Sequence, residues 1–303
     1  MTRNQYKSNT NSVVEVMKKL IPDTSQKIKL DDYVLNHIKH FLDATDLKNF
    51  PVQTPSVSKE DFLDRIQRYE DLTKDLKNIS ILLACWGDSD QLLILEKIFT
   101  RIAEADKGPS GTTLWLRLSW YPVLLLMYVA GIAALSKHKY EALKIILEAQ
   151  VQSGFEYDSK VIPIIVPVVD NMTKLHDNFK WLPGHERNYV PRSEYLFKSL
   201  QPSLEDLLFL GKSYEPLFDW FEVFLTLVYF DVKNLDWGPP GRFTWKYRDR
   251  TQGGNPFIEL VEEAKKYGGG WVPLKAGFFQ GSHEKFQEIV DSYKKQLDKI
   301  SWR

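Results

Sequence analysis

The sequence has no excess of charge and almost no cysteine, and both absences exclude classes of function. Forty Lys and Arg residues balance forty Asp and Glu residues among 303, so the formal net charge is zero. This balance argues against a protein that binds polyanions over its whole surface, and any such role needs a local basic patch. The single cysteine, Cys85, excludes an internal disulfide and a multi-cysteine zinc site, and it suits a reducing compartment.

Long apolar runs are also scarce, and the amino terminus is polar, without the apolar centre of a signal peptide. One uncharged stretch, Leu118–Ser136, approaches the length that spans a bilayer. Pro122 near its start and small residues such as Gly131 predict instead a helix buried at the centre of a soluble protein. We therefore expect a cytoplasmic protein with no membrane insertion.

Apolar residues recur at three- and four-residue steps along most of the chain, which is typical of amphipathic helices. Ser58 followed by Asp61 predicts a capped helix start, and Asn255 followed by Pro256 predicts another. Pro202-Ser203 predicts the start of a short helix. The fold class is therefore mainly α, a multi-helix globular bundle with one minor β element near residues 242–250.

The distribution of proline and of polar residues predicts two parts. Residues 1–57 form a polar amino-terminal segment with short helices and a linker, since Pro51 and Pro55 interrupt residues 49–56. Residues 58–303 form a helical domain. A subdivision of this domain near residues 155–200 is left open, because prolines interrupt a β-branched run there.

The most buried-looking helix is predicted from about Tyr214 to Tyr229. Between Leu217 and Phe230 its only polar residues are Asp219, Glu222 and Thr226, and their spacing of three and four places them on one stripe. Protein must cover most of this helix.

Residues 242–250 alternate cationic or polar residues with three aromatic residues and Asp249, and a strand would place the cations on one face and the aromatic residues on the other. Cations beside exposed aromatic rings suit nucleic acid or a nucleotide. The alternative is an edge strand with its aromatic residues packed inward. The candidate anion-binding residues are Arg242, Lys246, Arg248, Arg250, Trp245 and Tyr247.

The sequence predicts no catalytic set, no metal site and no cofactor. Gly211-Lys212-Ser213 is similar to the end of a phosphate-binding loop, but Asp206 stands where that motif needs a glycine. His37 and His40 lack further ligands at metal-binding spacing. Cys85 lies in an apolar run and is expected to be buried and unreactive.

Several motifs in order resemble a helical region of bacterial multidomain proteins. In those proteins the region follows a TIR-like or sirtuin-like effector domain, in architectures similar to anti-phage defence systems. The similarity covers roughly residues 58–300. The motifs are Arg65–Asp71, Ser110–Leu116, Tyr121–Tyr128, Tyr214–Asp219, Gly241–Trp245 and Ala276–Ser282.

The resemblance implies an effector that cleaves NAD, but the residues before Ser58 are too few for a TIR or sirtuin fold. We therefore expect either a carboxy-terminal fragment or a free-standing subunit, and we do not assign NAD cleavage to it. The expected function is a non-enzymatic sensor, scaffold or regulatory subunit of a bacterial defence-type system. It would act through protein–protein contacts with an effector or with a second copy. The alternatives are a nucleic-acid or nucleotide-binding module on residues 242–250, and an enzyme whose residues are dispersed.

Overall fold

Helices form nearly all of the regular structure in the computed structural model, which confirms the mainly-α prediction. The structure describes residues 3–54, 56–108, 110–153, 160–234, 237–247 and 254–300. In the first half the helices are Arg3–Leu20 (α1), Lys27–Ala44 (α2), Lys59–Leu72 (α3), Lys74–Trp86 (α4), Ser89–Ala103 (α5), Thr113–Leu118 (α6), Tyr121–Ser136 (α7) and Tyr140–Glu148 (α8).

The second half begins with the strands and continues as helices. Two strands, Gln150–Ser153 (β1) and Lys160–Pro163 (β2), pair antiparallel, with Val151 opposite Ile162. The helices that follow are Ile165–Thr173 (α9), Pro191–Leu208 (α10), Tyr214–Lys233 (α11), Phe243–Lys246 (α12), Pro256–Tyr267 (α13), Val272–Lys275 (α14) and His283–Lys299 (α15).

Helix α7 lies at the centre of the fold, as the sequence predicts. Every residue from Tyr121 to Leu135 is buried, and helices α4, α8, α10 and α11 pack around it. The span Thr113–Ser136 is long and apolar enough to cross a membrane, but 94% of its most apolar window is buried inside the protein. Gly131 allows close packing, because a Cβ there would collide with the ring of Phe221 on α11.

The first 57 residues contain two helices of 18 residues each, longer than the short helices that the sequence predicts. Their buried residues, such as Val34, belong to the same core as the rest of the protein. The predicted linker is packed as well, since Phe50 stacks on Tyr69 with ring centroids 4.5 Å apart. The Arg65 guanidinium donates to the Pro51 carbonyl over 2.8 Å.

The helix start at Ser58 is confirmed. The Asp61 N–H donates to Ser58 Oγ and the Ser58 N–H donates to Asp61 Oδ2, each over 3.0 Å. Asn255 also caps its helix, because its Oδ1 accepts the Phe257 N–H over 3.0 Å.

Two sequence predictions of local structure are wrong. Residues 243–246 form a helical turn, with Arg242 itself in the right-handed helical region, so the minor β element is not there but at β1 and β2. Pro202 lies inside α10 rather than at a helix start. That helix continues through the proline because Leu196, Leu200 and Leu204 bury one continuous face.

Candidate functional site

The polar stripe of α11 holds residues 237–247, which we term the clasp segment. Thr226 Oγ1 donates to the Pro239 carbonyl over 3.0 Å, and Glu222 Oε2 accepts the Arg242 N–H over 3.0 Å. One turn earlier, Asp219 Oδ1 accepts from Arg242 Nη1 over 2.8 Å. The stripe predicted from the sequence is thus a docking strip for a segment that follows it in the chain.

Two glycines let the clasp segment approach α11 this closely. A Cβ at Gly238 would lie 2.5 Å from Thr226 Cγ2 and 2.6 Å from the Phe230 ring. A Cβ at Gly241 would collide with the Glu222 carboxylate. Any side chain at either position would push the backbone away from the stripe.

Arg242 is the buried anchor of the clasp segment, with only 6% of its surface exposed. Besides Asp219, its guanidinium binds Glu215 Oε1 over 2.8 Å, and Glu194 Oε1 lies 3.8 Å from its Nε. Its Cζ lies 3.9 Å from the centroid of the Phe197 ring. Burial lowers the pKa of Arg242, but the neighbouring carboxylates outweigh that effect and raise it overall.

A second cation and two aromatic side chains complete this charged cluster. Lys246 Nζ lies 2.6 Å from Glu215 Oε1 and 3.2 Å from Asp219 Oδ2. Tyr247 donates to Asp219 Oδ2 over 3.2 Å, and Trp245 Nε1 donates to Glu194 over 2.9 Å. Burial raises the pKa of Asp219, and the two cations oppose that rise.

The structure corrects the predicted arrangement of the candidate anion-binding residues. Arg242, Lys246, Trp245 and Tyr247 do come together, but they face carboxylates of α10 and α11 rather than forming a basic face with aromatic residues behind it. The pattern misleads because alternation over so few residues also fits a helical turn, and here both cations of that turn find acidic partners. Arg248 and Arg250 lie outside the described residues, and anion binding by residues 242–250 stays a prediction.

Glu222 lies beneath the clasp segment and is 3% exposed. Tyr128 donates to its Oε1 over 3.0 Å and Ser193 donates to its Oε2 over 2.8 Å. Burial raises the pKa of Glu222 to about 7, assisted by the charge of Asp219 and opposed by these two hydroxyl donors.

An open cleft of about 650 Å³ lies where the clasp segment meets α15 and the chain between α9 and α10. We term it the α15 cleft. Its walls combine aromatic rings, lysines and uncharged polar groups, and in the described part of the chain no Asp, Glu or Cys lines it. The lining residues are His176, Tyr189, Trp237, Pro240, Ser292, Lys295, Gln296, Lys299 and Ile300.

Helix α15 supplies the cationic wall. Lys295 and Lys299 are four residues apart and therefore project from the same side of the helix. Both are exposed, and neither has an ion-pair partner among the residues that the structure describes. Between them, the Gln296 amide exchanges two hydrogen bonds of 2.8 Å with the backbone of Gly238, which fastens α15 to the clasp segment.

Two aromatic residues also line the cleft. Trp237 is 40% exposed and Tyr189 is 48% exposed, and both residues line the cleft. His176 is hydrogen-bonded to the Tyr189 backbone, and burial together with the charge of Arg192 lowers the pKa of this imidazole. His176 is consequently uncharged near pH 7 and offers the cleft a neutral polar group.

Sequence reasoning missed the cleft residues because they come from three separate parts of the chain. The available signals were the lysine pair at helical spacing and a tryptophan beside Gly238-Pro239-Pro240. Within the described ranges, no group of three or more His, Cys, Asp or Glu residues is placed to hold a metal ion. No protein-family model, no curated protein and no solved structure matches this chain.

Proposed function

We propose that this chain is a non-enzymatic sensor or regulatory subunit whose α15 cleft binds a small anionic molecule. The observation that carries the proposal is the pair of cations Lys295 and Lys299, which line the same cleft as the partly exposed Trp237. Cations that have no carboxylate partner among the described residues, together with an exposed aromatic ring, are suited to a ligand with negative charge and a flat apolar part.

Binding suits this cleft better than catalysis does. General acid–base chemistry needs titratable groups within reach of a reacting atom. Among the carboxylate, thiol and imidazole groups that most often do this chemistry, the described lining offers only His176, and that imidazole is hydrogen-bonded to the Tyr189 backbone. The cleft is therefore proposed to bind rather than to catalyse, and the single cysteine, which suits a reducing compartment, favours the cytoplasm.

The clasp segment connects the cleft to the buried charged cluster. Trp237 and Pro240 line the cleft. Arg242, two residues after Pro240, is hydrogen-bonded to the buried carboxylates of Glu222 and Asp219. A ligand that contacts Trp237 or Pro240 can therefore shift the backbone that holds Arg242 against these carboxylates. We propose that occupancy is read out in this way by an effector partner, which is the type of partner that the family resemblance suggests.

A scaffold function is the second candidate, and a specific surface favours it. Ile28, Trp86 and Leu93 are 81%, 45% and 60% exposed. The helices that carry them, α2, α4 and α5, pack against one another, and Lys27 of α2 forms an ion pair with Asp90 of α5. Exposed large apolar side chains are typical anchors of protein–protein contacts.

Ligand-dependent thermal stabilisation tests the primary proposal. We expect inorganic pyrophosphate to raise the unfolding temperature of the wild-type protein, since a ligand at a hundred times its Kd stabilises by about 2.7 kcal/mol. The double variant Lys295→Ala/Lys299→Ala should lose this rise. Lys294→Ala is the matched control, because Lys294 lies on the same helix beside Asp291 and does not line the cleft.

Two results would contradict the proposal. The first is that pyrophosphate, tested up to millimolar concentration, does not shift the unfolding temperature of the wild-type protein. The second is that pyrophosphate stabilises the double variant as much as it stabilises the wild type and Lys294→Ala, which would show that the anion binds elsewhere.

A further inference from the structure

We infer that the ligand of the α15 cleft is a nucleotide, with its base stacked on Trp237 and its phosphates bound by Lys295 and Lys299. This inference rests on the proposed function and names the class of ligand. It follows from the spacing of the cations, from the exposed tryptophan in the same cleft and from the size of the cleft.

The lysine spacing suits linked phosphates. Residues four apart on a helix are separated by about 6 Å along its axis, slightly more than one turn. Two flexible side chains at that separation can each hold one phosphate of a diphosphate. Ser292 lies one turn before Lys295 and lines the same wall, which adds a hydroxyl donor.

The aromatic wall distinguishes a nucleotide from a simple anion. A free phosphate or carboxylate gains nothing from an exposed indole, whereas a base stacked on an aromatic ring gains about 1–3 kcal/mol. Trp237 keeps its ring exposed although the next two residues, Gly238 and Pro239, are buried. The Gln296 bonds to Gly238 fix the backbone beside that ring, so the stacking surface is held in place.

The dimensions favour a single nucleotide over a nucleic-acid strand. Pockets for small ligands have volumes of roughly 300–1,000 Å³, and the cleft of about 650 Å³ lies within that range. Strand binding relies on many phosphate contacts along a basic groove. Here two lysines line the described part of the cleft, on a chain with no net charge.

Isothermal titration calorimetry with three kinds of probe tests the inference. The probes are inorganic pyrophosphate, the four ribonucleoside 5′-diphosphates and the four nucleosides without phosphate. We expect at least one diphosphate to bind about tenfold more tightly than pyrophosphate, because stacking adds to phosphate binding. The nucleosides should bind more weakly than the diphosphates, since they lack the groups that the lysines hold.

Two tryptophan variants locate the base. Trp237→Leu should remove the advantage of the nucleoside diphosphate and leave pyrophosphate binding unchanged. Trp86→Leu is the matched control, since Trp86 is exposed to a similar degree, 45%, and does not line the cleft. It should bind both probes as the wild type does.

The outcomes separate this inference from the proposed function. If pyrophosphate binds and no diphosphate exceeds it, the nucleotide inference is wrong while anion binding stands. If pyrophosphate does not bind, the proposed function is contradicted, and the nucleotide inference that rests on it falls as well. If a diphosphate binds equally to the wild type and to Trp237→Leu, the base does not lie on Trp237 and the inference is overturned.

Discussion

Glu222 accepts hydrogen bonds from Tyr128, Ser193 and the Arg242 backbone at the centre of the fold. Three donors favour its ionised form, yet burial and the nearby charge of Asp219 prevail and raise its pKa to about 7. A carboxyl group of this kind holds its proton more tightly in the folded than in the unfolded chain. It therefore makes stability depend on pH.

We predict that ionisation of Glu222 lowers the free energy of unfolding as the pH rises. Its pKa is 4.5 when unperturbed and about 7 in the folded chain, so the stabilisation is present below pH 4.5 and is lost as the pH rises to about 7. One pKa unit corresponds to about 1.4 kcal/mol. Between pH 4.5 and pH 8, the unfolding free energy of Glu222→Gln should therefore gain about 3 kcal/mol relative to that of the wild type, measured by urea denaturation.

Glu141→Gln is the control for this comparison, because Glu141 is an exposed residue of α8. Because this substitution removes no buried carboxyl group, it should not reproduce the gain expected of Glu222→Gln. A constant difference for Glu222→Gln would show that the Glu222 carboxyl group titrates at an ordinary pKa.

At the scale of elements, the clasp segment depends on Arg242. From the sequence, alanine at Arg242, Lys246 and Arg248 is expected to leave the protein folded, because solvated cations contribute little to stability. The structure reverses that expectation for Arg242, because Arg242 is buried. Removing its guanidinium deprives the Asp219 carboxylate, which is 0% exposed, of an ion-pair partner.

We predict that Arg242→Ala lowers the unfolding free energy by about 3–5 kcal/mol, the usual cost of breaking a buried ion pair. Arg101→Ala, at an exposed position of α5, should change it by less than about 0.5 kcal/mol. Guanidinium denaturation followed by circular dichroism measures both. A loss below about 1 kcal/mol for Arg242→Ala would mean that the clasp segment is held by its backbone bonds alone.

Sequence reasoning works best for elements whose signals are local. The capping box at Ser58, the cap at Asn255 and the burial of α7 each follow from a few neighbouring residues, and each is confirmed. It fails at Pro202, because tertiary packing carries α10 through a residue that ordinarily ends a helix. It also fails at residues 243–246, because the carboxylates that hold Arg242 come from α10 and α11.

At the scale of the whole molecule, the sequence predicts the helical class and the polar stripe of α11 but not the cleft. The stripe is visible because its three members lie on one helix. The cleft is assembled from the chain near residues 176–189, from the clasp segment and from the end of α15. No local pattern brings three such distant segments together, so their combination is seen only in the folded chain.

Hydrogen–deuterium exchange with and without ligand tests the central claim most directly, namely that the α15 cleft is a ligand site joined to the clasp segment. With the tightest-binding anion from the titrations, or with saturating pyrophosphate, we predict slower exchange in peptides covering residues 237–247 and 283–300. Peptides from α5, which does not line the cleft, should exchange as before. Unchanged exchange in the clasp segment and in α15, or protection confined to another part of the protein, would contradict the account.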